Sequence, residues 1–114
     1  MDDLVAQVAQ RAGIDPAMAA AAVTIILKFL ANAGPRDKVD KLIDDLPGAR
    51  AALASGDRGP ADVMGAFSAL TGAGLGMGEI QSVASAFGSV AREHAGAGVV
   101  DEVVASIPGL SQFV

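Results

Sequence analysis

The chain of 114 residues has no cysteine, no tryptophan, no tyrosine and a single histidine. Without cysteine there is no disulfide, no thiolate metal ligand and no thiol nucleophile. The histidine, His94, stands near the predicted end of a helix, where its cationic form interacts favourably with the helix dipole. As a general base it needs a partner such as Ser85 or Ser89, and the sequence fixes no such geometry. We therefore predict that the protein is not an enzyme and carries no cofactor.

Basic residues are also few, with eight lysines and arginines against 13 acidic residues and a net charge of −5. This charge repels phosphate backbones and anionic lipid headgroups, so neither nucleic acid nor a membrane is an expected partner. The opening MDDLVAQ lacks the basic residues and the apolar run of a secretory signal, which predicts a cytoplasmic protein. The apolar stretch 17–31 is interrupted by Lys28 and is shorter than a membrane span, so we interpret it as a core helix.

Two stretches resemble chemical motifs but have simpler explanations. Asp37, Asp40 and Asp44 share one side of a predicted helix and would suit a hard cation. Lysines and arginines alternate with them, however, so a solvated face with internal ion pairs is the favoured interpretation and no metal site is predicted. The stretch GAGLGMG has glycines at alternate positions and follows no strand, which indicates a turn between helices and not a dinucleotide site.

The most informative feature is a repeat. VDKLIDDLPGARAAL is followed 61 residues later by VDEVVASIPGLSQFV, and the same offset places Ala12-Gly13-Ile14 on Ala73-Gly74-Leu75. Several anchors with one offset favour an internal duplication over chance matching in a chain rich in alanine and glycine. We predict one domain over 1–114, with copies 1–53 and 62–114, joined by a linker 54–61, that superpose about an approximate two-fold axis.

Each copy has the pattern of three helices. Asp15 is a plausible N-cap with Pro16 in the first helical position, and Gly34-Pro35 ends the long helix that follows. In the second copy Pro60 opens the first helix, and Gly76 with Glu79 three residues later starts the long one. No stretch alternates as a strand does, so the fold class is all-α, a compact helical bundle of two pseudo-repeated three-helix units.

The three-helix units, the AGI and AGL turns, and the stops in LIDDLPG and VVASIPG resemble uncharacterised bacterial helical proteins of the VcgC/VcgE type, a domain of unknown function. The resemblance covers most of the chain and implies a fold without an activity or functional residues. A narrower stretch, LVAQVAQRAGIDPAMAAAAVTIIL, is similar to the first two helices of histone-like DNA-bending proteins. Their β-ribbon arms and basic surface are missing here, so we interpret the similarity as a shared helical hairpin.

Two classes of function remain. The first is a non-catalytic helical module of unknown pathway that binds a protein partner or forms a homodimer. The low charge of the second copy suggests it, because only two basic and five acidic residues occur from Arg58 onward. The alternative is a helical bundle that holds a small apolar ligand between its two units. A cavity lined by the following residues would favour the alternative: Met18, Ile25, Phe29, Met64, Phe67 and Phe87.

The stretch SIPGLSQFV supplies a candidate interaction surface, Leu110, Phe113 and Val114. Apolar residues without neighbouring charge favour docking into a groove, formed either by the first copy or by a second subunit. If Phe113 is buried within one chain, Phe113→Ala should cost about 3–5 kcal/mol of unfolding free energy. If its groove is a subunit interface, the same change should dissociate an oligomer. Denaturant unfolding and sedimentation of the variant beside the parent distinguish the two results, and a variant unchanged in both would contradict docking.

Overall fold

Seven α-helices make up most of the chain that the computed structural model describes, which comprises residues 2–46, 49–54 and 59–107. They are α1 (Asp2–Ala12), α2 (Pro16–Ala33), α3 (Arg36–Asp45), α4 (Ala49–Ala54), α5 (Val63–Gly72), α6 (Met77–Ala95) and α7 (Ala97–Ser106). These residues contain no strand, so the prediction of an all-α fold is confirmed. The helices form a compact bundle with a radius of gyration of 12.2 Å.

The predicted starts of α2 and α6 are confirmed, and at each of them a side chain forms a capping hydrogen bond. Asp15 caps α2, and its carboxylate accepts a hydrogen bond from the Ala17 N–H at 2.8 Å. Gly76 precedes α6, and its N–H donates to the Glu79 carboxylate at 2.9 Å. In each contact a carboxylate accepts a hydrogen bond from a backbone N–H at a helix N-terminus, which has no partner within the helix.

Two boundaries differ from the prediction. Helix α5 begins at Val63 and not at Pro60, because the Asp62 side chain accepts from the Gly65 N–H at 2.6 Å and so caps the helix. The short helix α4 was not predicted, and it gives the first half of the chain four helices instead of three. Helix α4 includes Ala54, which was predicted to begin the linker 54–61; residues 55–58 lie outside the described residues.

The two long helices occupy the centre of the bundle. Helix α2 contacts α1, α3, α4, α5 and α6, and α6 contacts α1, α2, α3, α5 and α7. Helix α1 packs against α6, whereas α5 packs against α2, so each long helix is covered partly by the first helix of the opposite half. Leu4, Leu27 and Val83 are among the completely buried side chains of the single core.

Helix α2 is long and apolar enough to cross a membrane by length and composition, and 39% of it is buried inside the bundle. Its contacts with five other helices account for its apolar composition. Its polar residues also have protein neighbours: the Thr24 hydroxyl donates to the Ala20 carbonyl at 2.9 Å, and the Asn32 amide donates to the Pro60 carbonyl at 3.0 Å. Lys28 is 8% exposed and its stem lies beneath Gly59.

Ion pairs join neighbouring helices at the surface. Arg11 of α1 pairs with Glu93 of α6, and Lys38 of α3 pairs with Glu102 of α7 at 2.7 Å. Glu102 raises the pKa of Lys38 through this hydrogen bond. Exposed pairs of this kind contribute little stability, so they orient the helices without holding the bundle together.

A candidate apolar cleft between α5 and α7

An apolar cleft of about 70 Å³ lies between α5 and α7. Residues of α2, α3 and α6 line it as well. We call it the α5–α7 cleft. No polar side chain is among the described residues that line it: Ile26, Phe29, Leu30, Leu42, Val63, Ala66, Phe67, Leu70, Ile80, Ala84, Phe87, Gly88, Ala91, Val100, Val103 and Val104. These residues offer an occupant dispersion and hydrophobic contact, and no side-chain hydrogen bond.

The cleft has a buried interior and a partly open rim. Phe29 and Phe87 in the interior are 2% and 5% exposed. The half-buried lining residues form the rim: Val63 and Phe67 of α5, Val104 of α7, Ile26 of α2 and Ala84 of α6. The cleft is thus reached from the surface along this rim, and its interior is kept away from water.

The six residues proposed to line a cavity separate into two groups. Phe29, Phe67 and Phe87 line the α5–α7 cleft. Met64 is 77% exposed, because α5 turns the stripe of Val63, Phe67 and Leu70 inward and leaves the adjacent position in solvent. Met64 therefore does not line the cleft.

Met18 and Ile25 do not line the cleft either. The Met18 methyl group approaches the Gly74 turn, and Ile25 lines a separate shallow depression beside Lys28 and Gly59. Valines 100, 103 and 104 also line the cleft, and their place there depends on where α7 packs. Periodicity along one helix carries no information about that packing.

The other candidate residues are brought to no common site. Asp44 is hydrogen-bonded to Arg50 at 2.6 Å, which holds the pKa of Asp44 below its usual value. Within the described residues no group of three acidic or histidine side chains is arranged to hold a metal ion. His94 is exposed in the last turn of α6, and Gly74 lies in the turn between α5 and α6 with φ of 102°. That φ favours glycine, in keeping with the interpretation of GAGLGMG as a turn.

The candidate surface formed by Leu110, Phe113 and Val114 lies outside the described residues. The two Pro-Gly stops of the repeat, at 47–48 and 108–109, lie outside them as well. The surface and its docking therefore stay predictions.

Comparison with protein-family models, with curated proteins and with solved structures gives no match. The resemblance to VcgC/VcgE-type proteins and the similarity to the helical hairpin of histone-like proteins accordingly stay predictions, and the proposals that follow depend on the geometry of the chain itself.

Proposed function

We propose that the protein is a non-catalytic interaction module that binds an apolar segment of a protein partner in the α5–α7 cleft. The observation that carries this proposal is a cleft whose described lining residues are all apolar and whose rim is half-buried. A partner side chain that enters it leaves water and meets three phenylalanine rings, Phe29, Phe67 and Phe87. Aromatic and apolar anchors of this kind commonly dominate the binding energy of protein interfaces.

The size of the cleft favours a side chain over a whole ligand molecule. Pockets that enclose small molecules are typically about 300–1,000 Å³. The α5–α7 cleft, at about 70 Å³, accommodates roughly one anchoring side chain, with the remainder of the partner lying across the rim. The chemistry of the lining requires that this anchor be uncharged, because the cleft offers no side chain to pair with a buried charge.

A small apolar ligand is a second candidate. The cleft is lined by α2 and α3 from the first half and by α5, α6 and α7 from the second, which is the location expected of a ligand held between two units. An engineered cavity of about 150 Å³ in another protein binds benzene, so a cleft of half that volume suits a short alkyl chain or part of a single ring. Native mass spectrometry of the protein purified from its own host distinguishes a bound small molecule from a bound polypeptide.

The proposal is tested with a charge at the rim. Val104→Asp places a carboxylate at the half-buried mouth of the cleft, which should weaken binding of the neutral apolar dye Nile red about tenfold or more, a cost of at least about 1.4 kcal/mol. The measurement is a fluorescence titration, with circular dichroism to verify that the variant is folded. Ala105→Asp is the matched control, because it adds the same charge to the next, exposed residue of α7. Equal dye binding by the two variants would contradict the cleft as the binding site.

We also propose that the chain is a single domain built of two duplicated helical units, and that the cleft results from their unequal divergence. In support, adding 61 to the first residues of α1, α2 and α3 gives 63, 77 and 97, the first residues of α5, α6 and α7. Gly13 and Gly74, which share that offset, both have positive φ, at 70° and 102°. The following N–H groups, of Ile14 and Leu75, donate to carbonyls five residues earlier at 3.1 and 3.2 Å.

The same proposal accounts for the difference between the halves. Val23 and Ile43 are 0% and 2% exposed, whereas their counterparts at the same offset, Ala84 and Val104, are smaller and half-buried on the cleft. Removing methylene and methyl groups from a packed interface leaves space that neighbouring helices fill only in part. Divergence of the second unit would in this way have opened a binding site in a fold that the first unit keeps closed.

A further inference from the structure

We propose that the partner of the α5–α7 cleft is a second copy of this chain, and that Met64 of each copy enters the cleft of the other about a two-fold axis. The inference rests on the proposed function, since it assumes that the cleft binds an apolar anchor. It adds what that function leaves open, namely the identity of the partner and the side chain that anchors it.

Met64 is a large apolar side chain that the fold places in water. Among the described residues two such side chains are exposed, Met64 at 77% and Met77 at 63%. A methionine side chain is flexible, unbranched and uncharged, so it suits a cleft that accommodates roughly one uncharged anchor. Its sulfur also makes favourable contacts with aromatic rings, and Phe29, Phe67 and Phe87 line the cleft. The exposed anchor and the cleft therefore match in chemistry.

The position of Met64 on α5 is beside the rim of the cleft. Successive helical residues are rotated by about 100°, so Met64 lies about 60° around α5 from the rim residue Phe67. Gly65 and Ala69, on the opposite side of α5 from Phe67, line a depression that α2 shares. A two-fold interface requires a projection and a recess on one patch, because each copy presents the same surface to the other. Met64 and the adjacent cleft meet that requirement.

The surface around Met64 has few charges to oppose the approach of a second acidic chain. The net charge of −5 makes two copies repel each other on average. Helix α5, VMGAFSALTG, contains no charged residue, and Asp62 before it is engaged as the N-cap. On α7 the acidic residues are paired, Asp101 with Arg92 at 3.2 Å and Glu102 with Lys38 at 2.7 Å. The two helices that flank the cleft therefore form a face suited to contact between copies.

Charged substitutions at the two exposed methionines test the dimer. Met64→Asp and Met77→Asp each add a carboxylate to the first turn of a helix, where an acidic residue is tolerated, so both variants should keep the parent's circular dichroism. Sedimentation over a concentration series that reaches the millimolar range measures the dissociation constant. We expect Met64→Asp to raise it about tenfold or more, because an unpaired charge would enter an apolar cleft. Met77→Asp, the matched control, should change it less than about twofold.

A mixture of complementary variants tests which surface receives residue 64. Met64→Lys and Val104→Asp should each weaken the dimer when alone. In their heterodimer the introduced ammonium of one chain meets the introduced carboxylate of the other, and the second site is that of the parent, so association should recover. The control mixture, Met64→Asp with Val104→Asp, brings two carboxylates together and should associate about tenfold more weakly or worse.

Three results would overturn the inference. A parent protein that stays monomeric throughout the concentration series would mean that a different polypeptide supplies the anchor. Equal dimerisation of Met64→Asp and Met77→Asp would place the interface on another surface. Equal association in the two mixtures would mean that residue 64 does not approach the cleft of the second copy.

Nile red titration separates this inference from the proposed function. If Val104→Asp weakens dye binding and the parent stays monomeric, the cleft binds apolar groups of another protein; the inference then fails and the proposed function stands. If Val104→Asp and Ala105→Asp bind the dye equally, the cleft is not the binding site, and the proposed function fails together with the inference.

Discussion

Neither half of the chain should fold when it is separated from the other at residues 55–58. Helix α1 packs against α6 and α5 packs against α2, so each half loses the helix that covers part of its long central one. A fragment of about 55 residues can bury a smaller share of its surface than a larger domain does, so its stability is marginal. We expect fragments 1–56 and 57–114 to show weak helical circular dichroism and no cooperative melting when alone.

Mixing the two fragments in equal amounts is the internal control. The contacts of α1 with α6 and of α5 with α2 can form between the two fragments. The mixture should therefore recover the helical signal of the intact chain in a concentration-dependent way. Cooperative melting of fragment 1–56 in isolation would contradict the expectation and would show that the first half is an independent domain.

Removing the ring of Phe29 should destabilise the protein and enlarge the α5–α7 cleft at the same time. Phe29 is 2% exposed and lines the cleft, so Phe29→Ala should cost about 3–5 kcal/mol of unfolding free energy. This is a large part of the 5–15 kcal/mol that is usual for a domain, and denaturant unfolding at low temperature measures it. We expect the folded fraction of the variant to bind more of a neutral apolar probe than the parent protein does.

Leu27→Ala is the matched variant. Leu27 is completely buried two residues earlier in α2 but does not line the cleft. It should lose about 3–5 kcal/mol as well, without a change in probe binding by the folded protein. If the two variants bind the probe equally, the space left by Phe29 is not continuous with the cleft.

Local sequence predicted those features of the fold that local contacts determine. Asp15 before Pro16, and Gly76 with Glu79 three residues later, form hydrogen bonds within one turn of chain, so the starts of α2 and α6 could be predicted from a few letters. Helix α4 could not, because six residues with one large apolar side chain have no helical period and gain stability from packing against α2 and α3.

The cleft depends on contacts between distant parts of the chain, and that limited what the sequence could predict of it. Phe29, Phe67 and Phe87 could be selected because large apolar rings seek burial, whatever the arrangement of the helices. Met64 and Met18 are apolar too, but their positions depend on the rotation of α5 and α2 in the bundle. The half-buried state of Ala84 and Val104 depends on the spacing of helices that are remote in sequence, for which no single-helix pattern gives a signal.

The crossed packing of α1 on α6 and of α5 on α2 has a consequence for the protein at high concentration. If the two halves of a molecule separate, the first half of one molecule can pair with the second half of another and form the same helix contacts in a domain-swapped dimer. Monomer and swapped dimer then share these helix contacts, and refolding at high protein concentration would trap the dimer. Deleting residues between α4 and α5 would shift the population toward exchange, and inserting flexible residues there would shift it toward the monomer.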